Sequence, residues 1–271
     1  MELICPVCSR SLTAEPHRYV CAKGHSFDRA RSGYVNLLQK QKHRQRGDDA
    51  DMAKARREFL NAGYYQPLLD AVAAAAGQSV QIADIGCGEG WYSCGLLKAQ
   101  REQGVPAELT GIDISPEILR FAASRASAEG LAEQTNWAAA SVNRLPLADA
   151  SCDCIVNLFA PCAPSEFCRI LKKNGLLLRA VPLERHLWEL KAAVYEKPYE
   201  NRPVCAAPEG FVLERLQKIT YPITVPHDDL QALFAMTPYI RNTSPEDAAK
   251  LTARESLTTT VSFGLLICRK K

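Results

Sequence analysis

From about residue 79 onward, apolar runs of strand length alternate with stretches whose apolar positions recur at helical spacing. The runs 79–85, 108–114, 136–140, 153–159 and 175–181 read as strands, and 92–103, 116–129 and 165–171 read as the helices between them. Ser115 suits the N-cap of the second helix, with Pro116 in its first turn. Further on, 186–195 predicts a helix, and 211–220, 228–236 and 256–269 predict strand, helix and strand. The last strand is long and rich in β-branched residues. Upstream, helical patterning covers 51–60, stopped at Gly63, and 66–76, which has Pro67 in its first turn and Gly77 as its stop. Strand–helix alternation of this kind predicts an α/β fold: a Rossmann-like, mainly parallel sheet with helices on both faces.

The first 38 residues break the rhythm. Cys5 and Cys8 stand two residues apart around Pro6-Val7, and Cys21 and His25 form a second pair after the short strand-like run Arg18-Tyr19-Val20. Three thiols and one imidazole match a closed tetrahedral zinc shell, which makes the metal structural. The bland alternative is three buried cysteines and a surface histidine. His17 is read as an ordinary surface residue. Residues 33–38 (Gly33-Tyr34-Val35-Asn36-Leu37-Leu38) are expected to close this unit, whose core is small enough to need a staple.

The division expected is a zinc-binding RNA-recognition module over 1–38, a basic linker with helices over 39–78, and a catalytic domain over 79–271. Net charge is only +3, so the molecule as a whole is no polycation. The charge is unevenly spread: Lys40, Lys42, Arg44 and Arg46 fall in one short run, and Lys54, Arg56 and Arg57 follow. That run reads either as a nucleic-acid docking surface or as a solvated linker. The chain contains 11 cysteines, an odd total, and Cys87, Cys152, Cys154 and Cys268 lie in apolar segments, as expected of reduced thiols in a cytoplasmic protein. There is no apolar run of membrane-spanning length and no signal-peptide pattern at the start, so no membrane partner is expected.

Asp84-Ile85-Gly86-Cys87-Gly88-Glu89-Gly90 follows an apolar strand and precedes a helix. The glycines allow a sharp turn and close approach of backbone to ligand. Asp113, at the end of the next strand, is placed to accept ribose hydroxyls. A dinucleotide site would use the same two features. The run Leu145-Pro146-Leu147-Ala148-Asp149-Ala150-Ser151-Cys152-Asp153 and the helix end Ile170-Leu171-Lys172-Lys173-Asn174-Gly175 resemble class I S-adenosylmethionine-dependent methyltransferases. The long final strand resembles them too.

Taken with the cysteine module, the pattern resembles the bacterial 23S rRNA (guanine-N1-)-methyltransferase family over nearly the whole chain. Further points of likeness are Phe27-Asp28, the stretch from Ala55 to Pro67, Phe159-Ala160-Pro161-Cys162, the stretch from Pro182 to Leu190, and Met236-Thr237-Pro238. The resemblance implies methylation of N1 of one guanine in a hairpin loop of 23S rRNA domain II, with S-adenosyl-L-methionine as donor. One branch of the family contributes to macrolide resistance. It implies one structural zinc on Cys5, Cys8, Cys21 and His25. It implies donor contacts from Tyr65, Gly88, Glu89 and His186, beside Asp84, Gly86 and Asp113, which the turn and the strand-end acid already place at the donor. A homodimer is a further open expectation. Asn157 to Pro161 are similar to the Asn-Pro-Pro-aromatic signature of amino-group methyltransferases but lack the doubled proline. Asn157 is therefore a weak catalytic candidate, and Phe159 either stacks on the base or packs the core. The competing readings are a methyltransferase for a small molecule or a protein, and an RNA-binding adaptor that keeps a donor pocket.

Overall fold

The computed structural model describes residues 1–39 and 50–271. Lys40, Lys42, Arg44 and Arg46, the expected docking run, lie outside the described residues.

The N-terminal unit is a three-stranded antiparallel sheet of β1 (Leu12–Ala14), β2 (Arg18–Cys21) and β3 (Ser26–Asp28). The next strand, β4 (Tyr34–Asn36), meets that unit through the antiparallel Arg29–Val35 bridge and also extends the large sheet. It pairs in parallel with the edge of the large sheet, Tyr34 opposite Trp137 and Asn36 opposite Ala139. A three-residue strand is too short to declare its partner through periodicity.

Helices α1 (Ala50–Asn61) and α2 (Gln66–Ala76) lead into the alternating region. There β5 (Gln81–Ile85), α3 (Trp91–Glu102), β6 (Glu108–Asp113), α4 (Pro116–Ala128) and β7 (Thr135–Ala139) form one half. The other half contains β8 (Cys152–Leu158), α5 (Pro164–Ile170), β9 (Leu171–Pro182) and α6 (Trp188–Val194). The chain ends with β10 (Phe211–Pro226), α7 (His227–Ala235), α8 (Pro245–Thr252) and β11 (Ser256–Lys270). Strand order is β10-β11-β9-β8-β5-β6-β7-β4. The six strands from β9 to β4 in that order are parallel, and β11 and β10 run antiparallel to them. The mainly parallel α/β sheet is as expected.

Ser115 caps α4 as predicted, its hydroxyl accepting from the Ile118 N–H. β10 runs six residues past its predicted end because it pairs with β11 along its whole length. Its Pro222 and Pro226 are tolerated because β10 is the edge strand. α8 was not anticipated, although Ser244 caps it by accepting from the Asp247 N–H at 3.1 Å.

The two faces of the sheet are covered differently. Helices α1 to α4 pack on one face, burying Phe59, Leu68, Val72, Leu96 and Leu119. On the other face no helix connects β7 to β8; residues 140–151 cross over as a loop. The N-terminal unit fills that place beside α5. Leu3, Leu12 and Tyr19 are buried with Ile112, Ala138 and Leu147. Leu3 bridges Leu147, and the Ile4 N–H donates to the Pro146 carbonyl at 2.9 Å. The small unit thus serves as the missing layer of the core, held by the same apolar burial that holds the helices.

Candidate donor crevice and metal centre

Strand order reverses between β5 and β8: the chain proceeds outward through β6 and β7 on one side and through β9 on the other. In open α/β sheets the ligand crevice opens at such a switch point, beyond the carboxyl ends of the strands. The glycine turn leaves β5 there, and residues 157–161 leave β8 beside it.

The turn is pinned from below. The Gly86 N–H donates to the Ile112 carbonyl at 2.7 Å. The Asp113 carboxylate accepts from the Gly88 N–H at 3.1 Å and the Ser115 N–H at 2.9 Å. Carboxylate oxygens carry further lone pairs, so Asp113 keeps capacity for a ribose diol. Gly86, Gly88 and Gly90 all have positive φ. A Cβ on Gly86 would collide with Ala160, whereas the space beside Gly88 is open. The crevice floor is therefore backbone with room above it, which fits a nucleoside donor.

Asp84 is buried, and the Ser93 hydroxyl donates to it at 2.5 Å. Burial raises its pKa to about 7, against the lowering effect of Ser93 and with a smaller raising effect from Asp113. Glu89 was expected at the donor. Its side chain is only 2% exposed; the Arg125 guanidinium holds Oε2 at 2.6 Å, and Oε1 is buried without a hydrogen-bond partner among the described residues. An acid 36 residues from its partner gives no local sequence signal of that pairing.

Tyr65 and His186, far apart in sequence, meet on β11. The Tyr65 ring sits edge-on to Phe263 at 4.9 Å, and the His186 ring lies 4.5 Å from Phe263. The Phe159 ring contacts the same Phe263 at 5.0 Å. Sequence reasoning did not single out Phe263; the only signal was an aromatic in a β-branched strand. His186 Nδ1 accepts from the Ser262 N–H at 3.2 Å, which leaves the ring hydrogen on Nε2. Burial, helped by the charge of Lys191, lowers its pKa to about 3.

A pH dependence follows. The unfolded imidazole titrates near 6.5 and the folded one near 3, so between those values the unfolded state holds more protons. Stability contributed by neutral His186 is complete above 6.5 and is lost as pH falls through that window. Thermal denaturation of the wild type and His186→Asn between neutral pH and about pH 4 is expected to show the steeper acid loss in the wild type. Parallel curves would contradict this.

Asn157, the weak catalytic candidate, is 1% exposed and fully engaged. Its amide donates to the Ile85 carbonyl at 3.0 Å and the Pro161 carbonyl at 3.1 Å, and its oxygen accepts from Arg179 at 3.2 Å. It ties the β8 loop to the end of β5, which is a positioning role. The loop presents Phe159, which is 46% exposed and held at φ +56°. A bulky residue in that region is strained and stays there only when its surroundings enforce it.

At the N-terminal unit, the Cys5 and Cys21 Sγ atoms lie 3.5 and 3.3 Å from His25 Nδ1, and Cys8 Sγ lies 3.6 Å from Cys21 Sγ. All four ligand atoms fall within 4.8 Å of one another. A tetrahedral ion with metal–sulfur bonds of about 2.3 Å spaces its sulfurs about 3.8 Å apart, so the cluster fits one zinc. With four protein donors there is no open position for catalysis. His17 is exposed, as expected. The eleven cysteines are free thiols, and Cys87, Cys152, Cys154 and Cys268 are buried as anticipated.

Two family models match the chain. The zinc-ribbon family model described as "RlmA, N-terminal" matches residues 3–46, and the model described as "Methyltransferase domain" matches 82–175. The chain is 31% identical to the 23S rRNA (guanine(748)-N(1))-methyltransferase of Streptomyces fradiae, over 98% of this chain and 96% of the relative. A Micromonospora griseorubida protein named for 23S rRNA guanine-N1 methylation is 38% identical, over 70% of this chain and 68% of its own length. Among solved structures, the YcgJ protein of Bacillus subtilis superposes with a TM-score of 0.50 at 16% identity, over 75% of this chain and 97% of that one, a likeness of fold.

Proposed function

The chain belongs to the 23S rRNA (guanine-N1-)-methyltransferase family, and from that premise we propose that it methylates N1 of one guanine in a hairpin loop of 23S rRNA domain II. The observation that carries the reading is the joining of a donor crevice to a zinc ribbon in one core, matched together in the full-length relative. The place of action is the cytoplasm. No helix among the described residues is long and apolar enough to cross a membrane.

When bound, S-adenosyl-L-methionine supplies a methyl carbon made electrophilic by its sulfonium. The chain's own residues arrange the rest. Gly86, Gly88 and Glu89 line the turn against the donor, with Asp84 bracing the turn through Ser93. Asp113 accepts the ribose hydroxyls. Tyr65 and the His186 Nε2–H close the side formed by β11. Cys5, Cys8, Cys21 and His25 hold a structural zinc that keeps the ribbon folded on the sheet.

The target guanine must leave its stack to reach the donor. Phe159 offers an exposed, conformationally enforced ring at the carboxyl end of β8. Asn157 holds that loop so that N1 comes within near-attack distance, about 3–3.5 Å. The bond from N1 to the methyl carbon would form as the sulfur–carbon bond breaks, with the electron pair leaving on the thioether sulfur and the N1 proton passing to solvent water. His186 carries its ring hydrogen on Nε2, so it acts as a donor and does not accept that proton.

Zinc-loaded protein, labelled donor and unmodified 23S rRNA should yield 1-methylguanosine on digestion to nucleosides. Label in another nucleoside, or none, would sink the reading. Stacking on an aromatic ring is worth about 1–3 kcal/mol per base. Phe159→Ala is therefore expected to lower the transfer rate about tenfold or more, with donor affinity unchanged. Full activity in that variant would return Phe159 to a packing role.

A further inference from the structure

A second cavity lies outside the donor crevice. It has a volume of about 630 Å³, and neither the glycine turn nor Asp113, Asn157 or Phe159 lines it. It opens where the zinc ribbon meets the catalytic sheet, between Pro6 of the first knuckle, Leu38 and Gln39 leaving β4, and Arg144 and Pro146 of the β7–β8 loop. Its floor begins at Ala140, whose N–H donates to the Asp113 carbonyl at 3.0 Å. The cavity is therefore one strand away from the donor acid.

Its charges are unequally committed. Asp149 and Glu166 line it, but Arg169 takes both, Asp149 at 2.8 Å and Glu166 at 2.7 and 2.8 Å. Arg169 also donates to the Leu145 and Leu147 carbonyls, which spends all its N–H groups. Arg144 is exposed, and among the described residues the one hydrogen bond of its guanidinium runs to the Gln39 side-chain oxygen at 3.2 Å. No carboxylate among the described residues pairs with it. The Gln39 amide donates in turn to the Pro6 carbonyl at 2.5 Å. The guanidinium is thus held at the mouth by a bridge from the β7–β8 loop to the zinc knuckle, with most of its donors unspent.

A cavity in the range of about 300–1,000 Å³ takes one small ligand, too little for a duplex. RNA is read chiefly at unstacked nucleotides, through base faces, base edges and phosphates. Pro6, Leu38 and Pro146 offer apolar walls to a base, and Arg144 offers a fork to a phosphate.

We propose that this cavity binds one unstacked nucleotide of the substrate RNA other than the target guanine, with its base between the walls and its phosphate on Arg144. The proposal rests on the RNA-methyltransferase reading above. It assigns the ribbon–sheet junction a part in choosing the hairpin.

The test uses full-length, zinc-loaded protein and a hairpin RNA of domain II. Dissociation constants are measured across a salt series for wild type, Arg144→Glu, Arg144→Ala and Arg144→Lys. Arg144→Glu is expected to weaken RNA binding about tenfold or more, and Arg144→Ala to reduce the log–log salt slope by about one. Arg144→Lys should recover much of the affinity. Donor affinity and zinc content should match wild type in all three, which separates a lost contact from a misfolded chain. Wild-type RNA affinity in Arg144→Glu would overturn the inference and leave the methyltransferase reading standing. A wild-type protein that neither binds nor methylates the hairpin would overturn both.

Discussion

Removing zinc is expected to unfold the catalytic sheet as well as the ribbon. The ribbon's apolar side chains are part of the sheet's second core: Leu3, Leu12 and Tyr19 are buried beside Ile112, Ala138 and Leu147. No crossover helix between β7 and β8 stands ready to cover that face. A unit of three short strands cannot hold its own shape by burial, so its order depends on the metal. Cys21→Ser leaves three donors, chelation of the wild type leaves four without an ion, and either frees the ribbon. Structural zinc contributes of the order of 10 kcal/mol to folding in small ribbons. Even a part of that exceeds most of a domain's net stability of about 5–15 kcal/mol. A fall in melting temperature above about 10 °C is expected, with donor binding lost in the same transition. A ribbon that melts alone, leaving donor affinity intact, would show that it is only an appended RNA-binding module.

Two glycines of one turn should fail in different ways. At Gly86, φ is +81° and an added Cβ meets Ala160. Ala160 follows Phe159 and lies in the loop tied down by Asn157, so it has little freedom to retreat. Gly86→Ala must therefore displace either the turn or the β8 loop. It is expected to lower stability by about 2–3 kcal/mol and to abolish measurable transfer. At Gly88, φ is +57° and the added methyl meets nothing within 4 Å. An L-residue in that region costs only about 1–2 kcal/mol. Gly88→Ala should therefore fold nearly as well as wild type, yet its methyl enters the open space proposed for the donor. Donor affinity is expected to fall at least tenfold. Calorimetric titration with S-adenosyl-L-methionine, alongside thermal denaturation, separates the two. Normal donor binding in Gly88→Ala would place the donor elsewhere.

The parts of this site that were legible in the sequence are local. The glycine turn, Asp113 at the end of the next strand and Ser115 at the cap each follow from spacing within one strand–turn–helix unit. The four metal ligands fall within one short segment, where spacing alone limits the geometry. The parts that were not legible depend on distant pairing. Tyr65, Phe159 and His186 share Phe263 because β11 returns antiparallel against β9, a register that sequence patterning does not carry. Glu89 suits either a donor contact or an ion pair, and only the fold places Arg125 beside it. Asn157 illustrates the same limit, since an amide that resembles a catalytic signature is equally able to clamp a loop. Residues 33–38 were read as closing the ribbon, and the pairing of β4 with distant β7 carries no local signal.

The most direct test of the account is primer extension across 23S rRNA that lacks the modification, after incubation with the zinc-loaded protein and S-adenosyl-L-methionine. Methylation at N1 removes a Watson–Crick donor and halts reverse transcriptase. The account predicts one donor-dependent stop, at a single guanine in the domain II hairpin, absent with Gly86→Ala. Donor binding with no stop anywhere on the RNA would contradict it.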